Sequence, residues 1–116
     1  MKIRERAAGP VVILELQGRL VLFDGEAPFR EKVEDLVGRQ QLNIIVNLKD
    51  VSYIDSAGVG VLVGKYLTVR RKGGDMKLLH LSSRTHRVMT ITKLLTVFES
   101  FDSEDEAVRS FAACGS

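Results

Sequence analysis

The chain has 116 residues, 45% of them hydrophobic and 28% charged, the size and composition of one soluble globular domain. Such a chain buries roughly two-thirds of its unfolded surface and needs no disulfide or metal to fold. Its net charge of +2 is too small to argue for nucleic acid or an anionic membrane as partner. The single cysteine, Cys114, excludes a disulfide framework and a thiolate metal site, and points to the reducing cytosol. No stretch approaches the roughly 20 apolar residues of a membrane span. The charged opening "MKIRERAAGP" lacks the apolar stretch of a signal peptide. With no internal repeat, linker or low-complexity segment, residues 1–116 read as a single domain.

In chain order, "VVILELQG" (11–18) reads as a strand preceded by a Gly9-Pro10 turn, with residues 2–6 available as a short edge strand beside it. "RLVLF" (19–23) reads as a second strand after Gly18, the two forming a hairpin or a bent ribbon. Asp24-Gly25 then opens a helix in which Phe29, Val33, Leu36 and Val37 share one face, with Pro28 in the first turn and Gly38 at the end. "NIIVNL" (43–48) is a near-continuous apolar run that suits a central strand buried on both faces. A helix follows from Ala57 to Lys72, with Ser56 as its cap and Arg70, Arg71 and Lys72 in the last turn before Gly73-Gly74. "MKLLHL" (76–81) is another strand, carrying His80. Ser82 or Ser83 caps a helix with Val88, Ile91 and Leu95 on one face. "TVFES" (96–100) is a short strand. Ser103 to Glu106 forms a capping box ahead of a last helix that buries Ala107, Val108 and Phe111. Strands alternating with helices in this way imply an α/β sheet with mostly parallel inner strands. The functional crevice of such sheets lies at the carboxyl ends of the strands. Ser56 falls there, and Asp24 joins it if the strands ending near each are neighbours.

The stretch "DVSYIDSAGVG" (50–60) therefore holds the main chemical candidates. A nucleophile elbow needs G-x-S-x-G and a histidine held against the serine; here the sequence is Y-I-D-S-A-G, and neither His80 nor His86 lies in a supporting pattern. A phosphate-binding loop needs G-x-x-x-x-G-K followed by Ser or Thr; in "GVGVLVGK" (58–65) the glycine spacings are wrong and Tyr66 follows the lysine. The G-x-G-x-x-G dinucleotide pattern fails at Val63. Gly60 and Gly64, one turn apart, read instead as close packing of the helix on the sheet. Ser56 reads as a helix cap, and either it is a cap alone or the cap doubles as a switch. Free N–H groups and the helix dipole favour anionic oxygens there, so a phosphate is accommodated without unfolding. Ser52 and Tyr53 are further hydroxyls, but neither opens a helix. The "RRK" at 70–72 reads as helix capping, and Asn47 as structural.

"DVSYIDSAGVGVLV" resembles the signature of the STAS domains of anti-sigma factor antagonists: a strand, then D-S-x-G at a helix start, then an apolar residue. Asp55-Ser56-Ala57-Gly58-Val59 supply it. "GRL" at 18–20, "NIIVNL", "GGDMKLLHLS" and "LLTVFESFDSEDEAV" follow the same order over nearly the whole chain. The resemblance implies a STAS-like α/β domain whose mixed, mostly parallel sheet has about five strands, with about four helices. It implies a cytoplasmic regulatory binding protein without catalysis, cofactor or metal, and with neither nucleic acid nor a membrane span. By the resemblance, Ser56 is the phosphoacceptor of a serine kinase that is also an anti-sigma factor. The unphosphorylated form binds the kinase and frees the sigma factor, and a serine phosphatase resets the switch. Asp55 would shape the acceptor through hydrogen bonds at the turn, or simply end the strand. Ala57 and Gly58 complete the neighbourhood, Gly58 leaving the helix start uncrowded for a docked kinase. Many members carry an acid directly after "GRL"; here that position is Val21, and Asp24, three residues later, is either a docking acid or a helix cap. An alternative within the family is a scaffold subunit of a stress-signalling or lipid-transport ABC assembly.

Overall fold

The computed structural model describes residues 1–115, except for the side chains of Leu95 and of residues 112–115, so what was expected of Leu95 and Cys114 lies outside the described residues. The elements in order are β1 (Lys2–Ala8), β2 (Val11–Leu20), α1 (Glu26–Gly38), β3 (Asn43–Ile54), α2 (Ser56–Arg71), β4 (Asp75–Leu79), α3 (Ser83–Ile91), a 3-10 turn (Leu94–Thr96), β5 (Ser100–Phe101) and α4 (Glu104–Gly115). The five strands lie in the order β1-β2-β3-β4-β5. β1 is antiparallel to β2; every other pair is parallel.

The apolar runs at 11–14 and 44–46 follow from a sheet covered on both faces. Side chains alternate along a strand, so Val12, Leu14, Leu16, Ile44 and Val46 join Phe29, Val33, Leu36, Leu62, Val69 and Met89 in the larger core under α1, α2 and α3. Val11, Ile13, Ile45 and Leu79 point the other way and meet Ala107 and Phe111 of α4. Each fully buried aliphatic side chain contributes about 1.5–3 kcal/mol. The helix faces expected at Phe29, Val33 and Leu36 and at Ala107 and Phe111 are buried, with Val37 half-buried beside them.

Several expected boundaries move. Residues 19–23 are not a separate strand: β2 continues through Leu20, bent at Gly18, whose φ is +126° and where the register with β3 shifts. Residues 21–25 are a tight turn, with the Val21 carbonyl accepting from the N–H groups of Asp24, Gly25 and Glu26. β3 runs six residues past the apolar segment 43–48, to Ile54, because β2 stays paired with it up to Leu20 opposite Ile54. His80 is not on a strand. It lies just past β4 with φ +55°, its N–H donating to the Phe101 carbonyl. The buried face of α3 is Thr85 and Met89; Val88 is half-buried and Ile91 is 73% exposed. The strand expected at 96–100 is only Ser100–Phe101, because Leu94–Thr96 close a 3-10 turn.

Candidate functional site

β2 and β3 end together, Leu20 opposite Ile54, and the Asp55 N–H reaches the Leu20 carbonyl at 3.4 Å. The 21–25 turn and the start of α2 therefore stand side by side, which is the adjacency the sequence left open for Asp24 and Ser56. Asp55 joins them. Its Oδ1 accepts from the Gly58 N–H at 2.9 Å and its Oδ2 from the Leu22 N–H at 3.1 Å. Its backbone is extended (φ −101°, ψ −172°), and its carbonyl accepts from the Val59 N–H at 2.9 Å. These are the attributes of an N-cap.

The cap of α2 is thus Asp55, and the expectation that Ser56 caps it is corrected. Ser56 is the first helical residue, with its side chain exposed. Among the described residues no hydrogen bond engages its hydroxyl, and no histidine side chain bonds it. The Asp55 carboxyl is held below the usual carboxylate range, first by the Gly58 N–H and further by the N–H groups of Leu22 and Ala57, against partial desolvation. A carboxylate at this end also meets the positive end of the helix dipole.

Gly58 is buried, and a Cβ there would stand 2.0 Å from the Leu20 carbonyl oxygen and 2.9 Å from Ile54 Cγ2. It is the residue that lets α2 touch the sheet. The close packing expected of Gly60 and Gly64 is corrected: Gly60 is exposed, Gly64 is half-buried, and a Cβ at either meets open space. Ala57 is half-buried between Ser56 and Gly58.

Asp24 lies in the adjoining turn and caps nothing. The N-cap of α1 is Gly25, with no side-chain bond, and the Asp24 carboxylate instead lies 3.1 Å from the Met1 amine and 3.4 Å from Arg19 Nε. Those two cations, the amine first, lower its pKa. Of the other hydroxyls, Ser52 is exposed on β3 and donates to the Gly18 carbonyl at 3.4 Å, and Tyr53 on the same strand is 51% exposed. Asn47 accepts from the Lys49 N–H at 3.0 Å. Sequence reasoning missed Leu22 and Phe23, which it placed in a strand. They are 51% and 98% exposed, and Phe23 has φ +68°. The available signal was the Asp-Gly that follows them, a turn dipeptide whose turn begins three residues earlier, at Val21.

Among the described residues no group of three or more His, Cys, Asp or Glu side chains is placed to hold a metal ion, and no helix is long and apolar enough to cross a membrane. The site offers a free hydroxyl on a capped helix start, beside a turn bearing apolar side chains.

The chain is similar to several known proteins. The sequence pattern of the STAS domain family matches residues 2–107. The anti-sigma F factor antagonist of Paenibacillus polymyxa is 29% identical over 98 residues, 84% of each chain. The anti-sigma-B factor antagonist of Bacillus subtilis is 43% identical over 70 residues, 60% of this chain and 63% of that one. The structure of the Bacillus cell fate determinant SpoIIAA in its phosphorylated form shares the fold, with a TM-score of 0.73 over 94% of this chain and 98% of that one, at 22% identity.

Proposed function

The chain belongs to the STAS domain family, and from that premise we propose that it is an anti-sigma factor antagonist whose affinity for its partner is set by the state of Ser56. The unphosphorylated protein binds an anti-sigma factor that is also a serine kinase, and so frees the sigma factor. The kinase brings ATP and transfers its γ-phosphoryl group to the Ser56 hydroxyl. The phosphorylated protein dissociates, and a serine phosphatase restores the hydroxyl. The chain is a binding protein throughout, acts in the cytoplasm and needs no cofactor.

One observation carries this reading: Asp55 caps α2, which leaves the exposed Ser56 hydroxyl unbonded at the first helical position. Modification of Ser56 breaks no cap. The added charge of about −1.5 to −2 gains from the helix dipole and loses from the adjacent Asp55 carboxylate. The domain therefore stays folded, and the cost falls on whatever covers Ser56. A penalty of about 3 kcal/mol at that contact lowers affinity roughly a hundredfold, enough for a switch. A relative solved in a phosphorylated form supports the same chemistry.

The test uses immobilised Ser56→Ala and Ser56→Asp proteins exposed to native lysate with ATP and Mg²⁺. The alanine form retains an ATP-dependent serine kinase and the aspartate form does not. Equal retention of that kinase by both forms would refute the switch. Transporter or scaffold subunits held alike by both would assign the chain to a larger assembly.

A further inference from the structure

We propose that Phe23 is the side chain by which the Ser56 kinase holds this protein, seated in an apolar pocket of that kinase; the inference rests on the function proposed above. Phe23 is 98% exposed. Its φ of +68° lies in the left-handed region, which a bulky aromatic side chain rarely adopts. Nothing in the fold requires an aromatic ring there, since it packs on nothing. Strain of this kind persists only where the surroundings impose it, and it clusters at functional sites.

The surroundings do impose it. The Val21 carbonyl accepts from the N–H groups of Asp24 at 3.1 Å, Gly25 at 3.2 Å and Glu26 at 3.2 Å. The Leu22 N–H is held by Asp55 at 3.1 Å. A turn fixed on both sides displays the ring in one backbone conformation, so little entropy is lost when a pocket closes over it. Aromatic side chains, Phe among them, are enriched at protein interfaces relative to the rest of the surface. The chemistry of the pocket follows from the neighbours. Leu22 is half-exposed beside Phe23, and Asp24, the acid of the turn, is already paired with Arg19 and the Met1 amine. The tip of the turn presents apolar surface beside an acid that is already neutralised.

The occupant follows from Ser56. An enzyme that brings the γ-phosphate of ATP into line with the Ser56 hydroxyl must lay its surface over Asp55 and whatever Asp55 binds. Asp55 binds the turn that carries Phe23. This chain carries Val21-Leu22-Phe23 between "GRL" and Asp24.

The experiment measures the initial rate of Ser56 phosphorylation, by intact-protein mass spectrometry, in extract of the source cells with ATP and Mg²⁺. The substrates are wild type, Phe23→Gly, Phe23→Leu and Leu67→Ala, each below saturation. Leu67 is 49% exposed on α2, about three turns from Ser56, and serves as an exposed apolar control. The rate falls roughly thirtyfold or more for Phe23→Gly, a few-fold for Phe23→Leu, and is unchanged for Leu67→Ala. The melting temperature of Phe23→Gly is equal to or above that of wild type, because glycine relieves the positive φ. A wild-type rate for Phe23→Gly overturns the anchor while leaving the switch intact. Absence of phosphate on Ser56 in wild type overturns the switch, and the anchor with it.

Discussion

Gly58 and the pair Gly60 and Gly64 lie within seven residues of one helix, yet they do opposite things. At Gly58 the helix backbone presses on the end of β2, so closely that a methyl group would stand 2.0 Å from a carbonyl oxygen. At Gly60 and Gly64 the same helix faces open space. The first glycine is what allows Asp55 to reach both the helix and the turn, and it fixes where Ser56 is displayed. The other two carry only the cost of glycine in a helix. The first turn of α2 is thus built around a contact, whereas its middle is not.

Substitutions rank this contrast. Gly58→Ala forces α2 away from Leu20 and destabilises the protein by about 2–3 kcal/mol, the usual cost of overpacking, seen as a lower urea midpoint at unchanged m. A neutral Gly58→Ala would erase the contrast. Asp55→Ala removes the acceptor of both the Gly58 and Leu22 N–H groups and lowers the melting temperature by about 4 °C or more. Asp55→Asn keeps the cap on the Gly58 N–H but loses the charge and the second acceptor, since its amide nitrogen would face the Leu22 N–H. Because the folded carboxyl titrates below its unfolded value near 3.9, the wild-type advantage over Asp55→Asn is complete above roughly pH 5. It fades as the pH falls through the folded value, which a series of urea melts across that range reads directly. Gly60→Ala and Gly64→Ala stabilise by up to about 1 kcal/mol each, again by urea midpoint; destabilisation would mean that α2 is as tightly placed there as at Gly58. Smallest of all, Ser56→Ala changes stability by less than about 0.5 kcal/mol. A loss near 1 kcal/mol would mark Ser56 as the cap after all.

Much of this fold was legible because burial on both faces leaves a plain mark: "VVIL" and "IIV" are apolar without interruption only where helices cover both sides of a strand. The charged end and double glycine of α2 were equally direct, and of the Ser103 capping box the structure shows the serine half, Ser103 Oγ accepting from the Glu106 N–H at 3.3 Å. What was hidden depends on backbone angles and on which side of a helix faces the sheet. Asp and Ser are nearly equal as caps, and the extended backbone of Asp55 decided between them. The spacing of Gly60 and Gly64 put them on one face but could not say that it faces outward. "RLVLF" has a strand's composition, and the turn that starts at Val21 removed the last three of its five residues. In α3 the small Thr85 is buried by its hydrogen bonds to Ser82, while the larger Ile91 is left outside.

The central claim is that phosphate on Ser56 acts on the partner and not on the fold. The most direct measurement compares protein carrying genetically encoded phosphoserine at position 56 with unmodified protein, titrated against the purified kinase retained by Ser56→Ala. The account predicts affinity lower by roughly a hundredfold, with the circular dichroism spectrum and melting temperature essentially unchanged. Equal affinity for the two forms, or a phosphorylated form that has lost its fold, would contradict it.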